Sequence, residues 1–181
     1  MPPLPAAFIF SAKKHNMIFD DKRNNYLQLS DSELLKQCTF VEYQASGPGG
    51  QKRNRKYSGA RLTHTPTGLQ VTCAESRSLN QNKSSALKKL KLKIALTVRS
   101  DESFDKVPDF SVSRKNPQYP VLLAAVFDTL YKSDFAVSEA AEKLNISTSK
   151  LIRFLASNPA AWQIVNQERK ARNLKTLNSG R

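Results

Sequence analysis

Arg61-Leu62-Thr63-His64-Thr65-Pro66-Thr67-Gly68-Leu69-Gln70-Val71-Thr72-Cys73 is the stretch on which the fold turns. Residues 61–64 and 69–73 alternate apolar and polar side chains, the period of half-buried strands. Between them Thr65-Pro66-Thr67-Gly68 is a turn, because Pro66 presets its own φ and Gly68 tolerates the positive φ that a hairpin bulge needs. Upstream, residues 39–43 are β-branched and aromatic and read as a third strand. Downstream the period changes. Ser78-Leu79-Asn80-Gln81 has the form of a capping box. Behind it Leu87, Leu90, Ile94 and Val98 recur at helical spacing, which predicts one long helix over 79–98 studded with Lys83, Lys88, Lys89, Lys91 and Lys93. The fold class is therefore α+β: a small mixed sheet with a long basic helix.

Around this unit the chain divides by composition. Residues 1–29 are Pro-containing and without sustained period, a flexible leader in which Met17 is a second candidate start. A short helix over 31–36 follows, capped by Ser30 or Asp31 with Glu33 in its first turn. The unit spans 30–99. Residues 100–119 turn acidic and Pro-containing (Asp101, Glu102, Asp105, Asp109, Pro108, Pro117) and read as a linker. Residues 120–181 read as an all-helical module with an apolar core of its own. Pro120 suits a first helical position, and Leu122, Leu123, Val126, Phe127 and Leu130 form a stripe. Ser138 is placed to cap a second helix, and 144–147 make a tight turn into a third, with Leu151, Ile152 and Leu155 inward. This is helix-turn-helix spacing, with Ser149, Lys150 and Arg153 on the open face. A last helix over 159–177 carries Trp162, Ile164 and Val165 inward and ends in a basic tail that includes Arg169, Lys170 and Arg172.

The chain has 181 residues, with 29 Lys and Arg against 15 Asp and Glu, a formal charge of +14. That length leaves room for two small units and excludes a large multidomain enzyme. Most of the excess is local: residues 47–99 hold twelve lysines and arginines and one acid, Glu75. Such a concentration is the electrostatic footprint of nucleic acid. A membrane partner is not expected, since no run approaches the roughly 18 to 20 apolar residues of a bilayer span. No secretory signal is read, and the chain is placed in the cytoplasm. Cys38 and Cys73 form no C-x-x-C pair and read as core residues in a reducing compartment, so neither zinc nor another metal or cofactor is expected.

The remaining segment carries the chemistry. Ser46-Gly47-Pro48-Gly49-Gly50-Gln51-Lys52-Arg53-Asn54-Arg55-Lys56 lies between two predicted strands and protrudes from the sheet. It is neither a phosphate loop nor a dinucleotide fingerprint. Its tip is a stretch of nearly bare backbone with exposed amide N–H groups, backed at once by cations. Gly49-Gly50-Gln51, then His64-Thr65-Pro66-Thr67-Gly68, then Arg77-Ser78 and Asn82-Lys83, in this order and spacing, resemble the catalytic domain of class I peptide-chain release factors over about residues 40–96. Arg53 stands where that family often has Val, and Leu79 where a Gln usually follows Arg-Ser. The resemblance implies that Gly49, Gly50 and Gln51 are a catalytic tip that enters the large ribosomal subunit and promotes hydrolysis of peptidyl-tRNA.

Physical chemistry agrees with that role. Ester hydrolysis needs an aimed water and donors for the developing oxyanion, and the backbone N–H of Gln51 is such a donor. The Gln51 amide has no usable pKa, so it orients water and does not act as a base. His64, in the hairpin, fits a turn-supporting hydrogen bond better than a catalytic triad. Binding is assigned to Lys52, Arg53, Asn54, Arg55, Lys56, Arg77, Lys83 and Lys89, with Lys150, Arg153, Arg169, Lys170 and Arg172 in the helical module. Only about 40 residues precede the catalytic segment, so the expected activity is codon-independent release from stalled ribosomes, the module recognising an unknown RNA or protein. The rival reading is a non-catalytic RNA- or DNA-binding regulator using the helix-turn-helix. Hydrolysis of free peptidyl-tRNA ranks lower, since no protein general base accompanies the loop.

Overall fold

A computed structural model describes residues 17–44 and 57–178. Strands β2 (Cys38–Tyr43), β3 (Gly59–His64) and β4 (Gln70–Cys73) pair antiparallel in that order, with Phe40 opposite Leu62 and Leu62 opposite Val71. The hairpin between β3 and β4 forms as its residues dictate. Gly68 has φ +67° and its N–H donates to the His64 carbonyl at 2.8 Å. His64 is fully buried and keeps the turn: Nδ1 lies 2.8 Å from Thr67 Oγ1, Nε2 lies 3.3 Å from Gln37 Oε1, and Tyr26 meets the ring edge-on. Burial holds its pKa below the ordinary histidine value.

Helix α3 (Leu79–Thr97) lies across one face of this sheet, burying Ala86, Leu87, Leu90 and Ile94 with Ala60, Leu62 and Cys73. The capping box at its start is half formed. Ser78 Oγ accepts from the Gln81 N–H at 3.4 Å, but the Gln81 side chain accepts from the Ser76 hydroxyl instead of returning to Ser78. Before the sheet, α2 (Asp31–Lys36) has the full box, Ser30 and Glu33 each bonding the other's backbone N–H.

Two expectations are corrected at the edges of this unit. The leader does not extend to residue 29: β1 (Ile18–Phe19) pairs parallel with β5 (Val98–Arg99), and α1 (Arg23–Gln28) buries Arg23, Tyr26 and Leu27. No apolar period announces these elements because their anchors are a guanidinium and a phenol ring. Nor does the 100–119 segment separate two independent cores. Phe104 is buried, and α4 (Tyr119–Lys132) packs against α3 in one continuous apolar cluster. Helix α4 buries nine of its residues, on more than one side, so it needs cover from both α3 and the helices that follow it.

Those helices are α5 (Val137–Lys143), α6 (Thr148–Ala156) and α7 (Pro159–Ala171). Ser138 is not a cap. Helix α5 starts from Ala136, because Asp134 and Phe135 adopt φ of 48° and 61° and bring the chain round two residues earlier. Helix α7 ends at Ala171, not 177, as Asn173 at φ 58° closes it. Helices α4, α5 and α7 all end in Schellman motifs centred on Asp134, Asn145 and Asn173. The Phe135, Ile146 and Leu174 N–H groups return to Leu130, Ala141 and Arg169 carbonyls at 2.7, 3.0 and 2.8 Å. A stop written in Asp and Asn is quieter in a sequence than one written in Gly.

One ion cluster joins the N-terminal segment, α3 and α4. Asp128 Oδ2 receives Arg23 Nη2 at 2.5 Å and Asp128 Oδ1 receives Arg99 Nη1 at 3.0 Å, with both guanidiniums essentially inaccessible. Arg23 lies over the Phe104 ring and Arg99 over Phe127. Desolvation pushes the Arg99 pKa down to about 10 against the pull of Asp128. Removing the carboxylate leaves two buried cations facing each other, a loss of roughly 3–5 kcal/mol. Asp128→Ala is therefore expected to lower the urea midpoint sharply at pH 7; an unchanged midpoint contradicts this account of the packing.

Candidate catalytic loop and its base

Gly49, Gly50, Gln51, Lys52, Arg53, Asn54, Arg55 and Lys56 lie outside the described residues. What the structure describes is the platform from which they depart. Tyr43 and Gly59 are the last partners of the β2–β3 ladder, and the segment that contains the tip leaves the sheet just beyond them. Gly59 is required by close approach: a Cβ there would stand 2.7 Å from the Tyr43 ring and carbonyl oxygen. The tyrosine ring lies across the bare glycine backbone, an aromatic cover for a residue with no side chain. The Arg61 guanidinium sits over the same ring, 5.3 Å from its centre.

The second strut is Asn82, fully buried in the first turn of α3. Its Nδ2 donates to the Ser58 and Ser76 carbonyls at 2.6 and 2.7 Å, and its Oδ1 accepts from the Ser76 N–H at 2.8 Å. One amide thus ties the descending end of the loop, through Ser58, to the 74–78 turn that carries Arg77. Asn82 precedes Ala86, Leu90 and Ile94 at four-residue spacing. An amide on an otherwise apolar stripe is the signal from which a buried hydrogen-bonding role is legible. Gly59 has no such signal, since its need comes from the ring across the ladder.

The predicted cations separate into two sets. Arg77 is exposed at the turn beside the Asn82 strut. Lys83 is half-buried with its ammonium 4.7 Å from the Phe40 ring, and Lys89 pairs with Glu75 at 2.6 Å on the surface. Lys91 bonds Asp31 and the Leu29 carbonyl, while Arg99 belongs to the core. In the helical module Lys150, Arg153 and Lys170 are exposed. Arg169 and Arg172 are engaged by the module itself: Arg169 donates to the Phe135 and Lys175 carbonyls, and Arg172 pairs with Asp134 and Glu168 and covers Phe135. The turn that puts Phe135 in the left-handed region leaves its carbonyl and Asp134 open to these donors, so the two arginines are taken up by packing. Among the described residues no group of three or more His, Cys, Asp or Glu side chains is arranged to hold a metal, and no helix is long and apolar enough to cross a membrane.

Known proteins resemble part of this chain in sequence. Residues 28–115, from the end of α1 through the sheet and α3, match the RF-1 domain, the catalytic domain of class I release factors. Over 81 residues the chain is 40% identical to peptide chain release factor 2 of Corynebacterium diphtheriae, covering 45% of this chain and 21% of that protein. The protein of the same name from Mycobacterium avium is 50% identical over 60 residues, 33% of this chain and 16% of the relative. That from Kosmotoga olearia is 54% identical over 52 residues, covering 29% and 14%. The chain thus spans about a fifth or less of the length of these curated relatives. The helical module, from residue 120 on, lies beyond the matched segment.

Asn82→Ala leaves the Ser58 and Ser76 carbonyls and the Ser76 N–H without that partner, at about 1–3 kcal/mol for each group left buried and unsatisfied. Amide hydrogen exchange is expected to quicken at residues 57–60 and 74–78 before the rest of the domain; uniform protection would refute the strut.

Proposed function

We propose that this chain hydrolyses the ester of peptidyl-tRNA on the ribosome, and that it does so without reading a stop codon. The observation that carries the reading is Gly49-Gly50-Gln51 in a segment that leaves β2 and returns on β3 of an RF-1 domain, above a base fixed by Tyr43, Gly59 and Asn82. Gly49 and Gly50 let bare backbone approach the ester closely. The Gln51 N–H stabilises the oxyanion as water adds to the carbonyl, and the Gln51 amide orients that water and excludes larger nucleophiles. The proton from water and the leaving ribose oxygen are handled by RNA and solvent, since Gln51 does not titrate. Lys52, Arg53, Asn54, Arg55 and Lys56 hold phosphates on the approach path, joined by Arg77 and, across the α3 surface, by Lys83 and Lys89. The partners are large-subunit rRNA and peptidyl-tRNA.

The helix-turn-helix geometry of α5 and α6 favours one other reading, a regulator that binds nucleic acid and catalyses nothing. Gly50→Val separates them. Peptide release from ribosomes stalled on a sense codon is expected to fall by about 10² or more while ribosome binding stays within twofold, since the tip supplies geometry and the cations supply affinity. Full release by that variant, or release by the wild type only at stop codons, overturns the proposal. Wild-type affinity is also expected to fall steeply with salt. Replacing Lys52, Arg53, Arg55 and Lys56 by Ala is expected to reduce the log–log slope by up to about one for each phosphate that is no longer neutralised. An unchanged slope in the fourfold variant removes the loop from the footprint.

A further inference from the structure

The 102–110 segment, α4 and the α5–α6 turn enclose a hollow of about 630 Å³ outside the RF-1 catalytic tip, in the size range of small-ligand pockets. Its apolar lining includes Phe104, Phe110 and Ile146. Lys132, Lys143 and Lys150 reach it from three different helices. The Lys150 ammonium stands over the Phe110 ring, 5.7 Å from its centre, so the cation covers one face of the aromatic ring. Two of the carboxylates that line it are already engaged: Asp128 by Arg23 and Arg99, and Asp109 by the Ser111 N–H at 2.7 Å. The sequence around the hollow's rim is cationic, and Arg153 extends the charge beyond it. From Lys143 to Gln167 the chain has three basic residues and no acid. The outer face of α6 presents Thr148, Ser149, Lys150 and Arg153, all exposed.

We propose that the hollow and the exposed face of α6 form one binding site for structured RNA, in which phosphates lie on Lys132, Lys150 and Arg153 and an unpaired nucleotide enters the hollow to stack on Phe110. The chemistry selects this ligand. An aromatic face inside with ammonium groups outside is how proteins take a splayed-out base and its flanking phosphates. The first turn of α6 offers two hydroxyls and one lysine and no Asn, Gln or Arg, a set suited to phosphate and 2′-hydroxyl contacts. The choice of RNA rests on the ribosomal function proposed above; the site itself rests on the hollow and its cations.

The test measures binding, not release, on the full chain. Fluorescence anisotropy compares a short labelled RNA hairpin carrying one bulged nucleotide, the same hairpin fully paired, and a DNA hairpin of the bulged sequence. The wild type is expected to prefer the bulged RNA over both by about tenfold, in line with one base–aromatic stack. Lys132→Glu with Lys150→Glu, at two exposed positions that form no salt bridge among the described residues, is expected to weaken bulged-RNA binding by at least tenfold and to lower its salt slope. Phe110→Leu, which keeps an apolar side chain beside Phe154, is expected to erase the preference for the bulge. Gly50→Val is expected to bind as the wild type does, so failure of the catalytic reading leaves this result legible. Equal binding of paired and bulged RNA, equal binding of DNA, or wild-type affinity in the double lysine variant overturns the proposal.

Discussion

Everything beyond the sheet depends on one carboxylate. Asp128 stands between Arg23 and Arg99, on the surface that α4 turns toward the catalytic unit. The cluster carries one more positive than negative charge in a place where water hardly reaches, and burial of an unpaired ion costs several kcal/mol. It is tolerated because the rings of Phe104 and Phe127 face the guanidiniums and because the Val98 carbonyl accepts from Arg23 and the Ala95 and Ala124 carbonyls accept from Arg99. Separation of α4 from α3 exposes this arrangement all at once. The contact between the two halves is therefore specified in direction as well as in area.

The catalytic segment is presented by a different kind of constraint. Its departure and return are fixed by backbone crowding at Gly59 and by a single buried amide at Asn82. Together they tie residues 43, 58 and 59 to the sheet and to the start of α3. The RF-1 match covers this entire base, whereas the helical module lies outside it.

The hairpin and the long basic helix were legible because period, turn residues and caps all agreed there. Pro66 and Gly68 announced the turn, Ser30 and Ser78 the helix starts. Residues 18–28 escaped because their burial is achieved by Arg23 and Tyr26, residue types that composition assigns to the surface. The 100–119 segment read as a spacer on its acids and prolines, while its one decisive residue, Phe104, is a lone apolar side chain without a period. Arg169 and Arg172 looked like a basic tail for the same reason that α7 looked longer than it is: nothing in Arg172-Asn173-Leu174 marks a stop until Asn173 is seen at positive φ. The catalytic tripeptide was legible only as a motif, and its residues lie outside those the structure describes.

The buried cluster at Asp128 also decides what sort of tether the module is. A flexible tail lets its two ends explore many separations, so anchoring one end concentrates the other over a wide volume and favours many geometries weakly. A module docked through a shared core and a two-armed ion pair holds one separation and one orientation. A partner held on α6 would stand at a single vector from the sheet and α3. Assemblies in which the two targets stand at that vector gain the full benefit of both attachments, and those in which they do not gain only one. Rigidity here acts as a gauge.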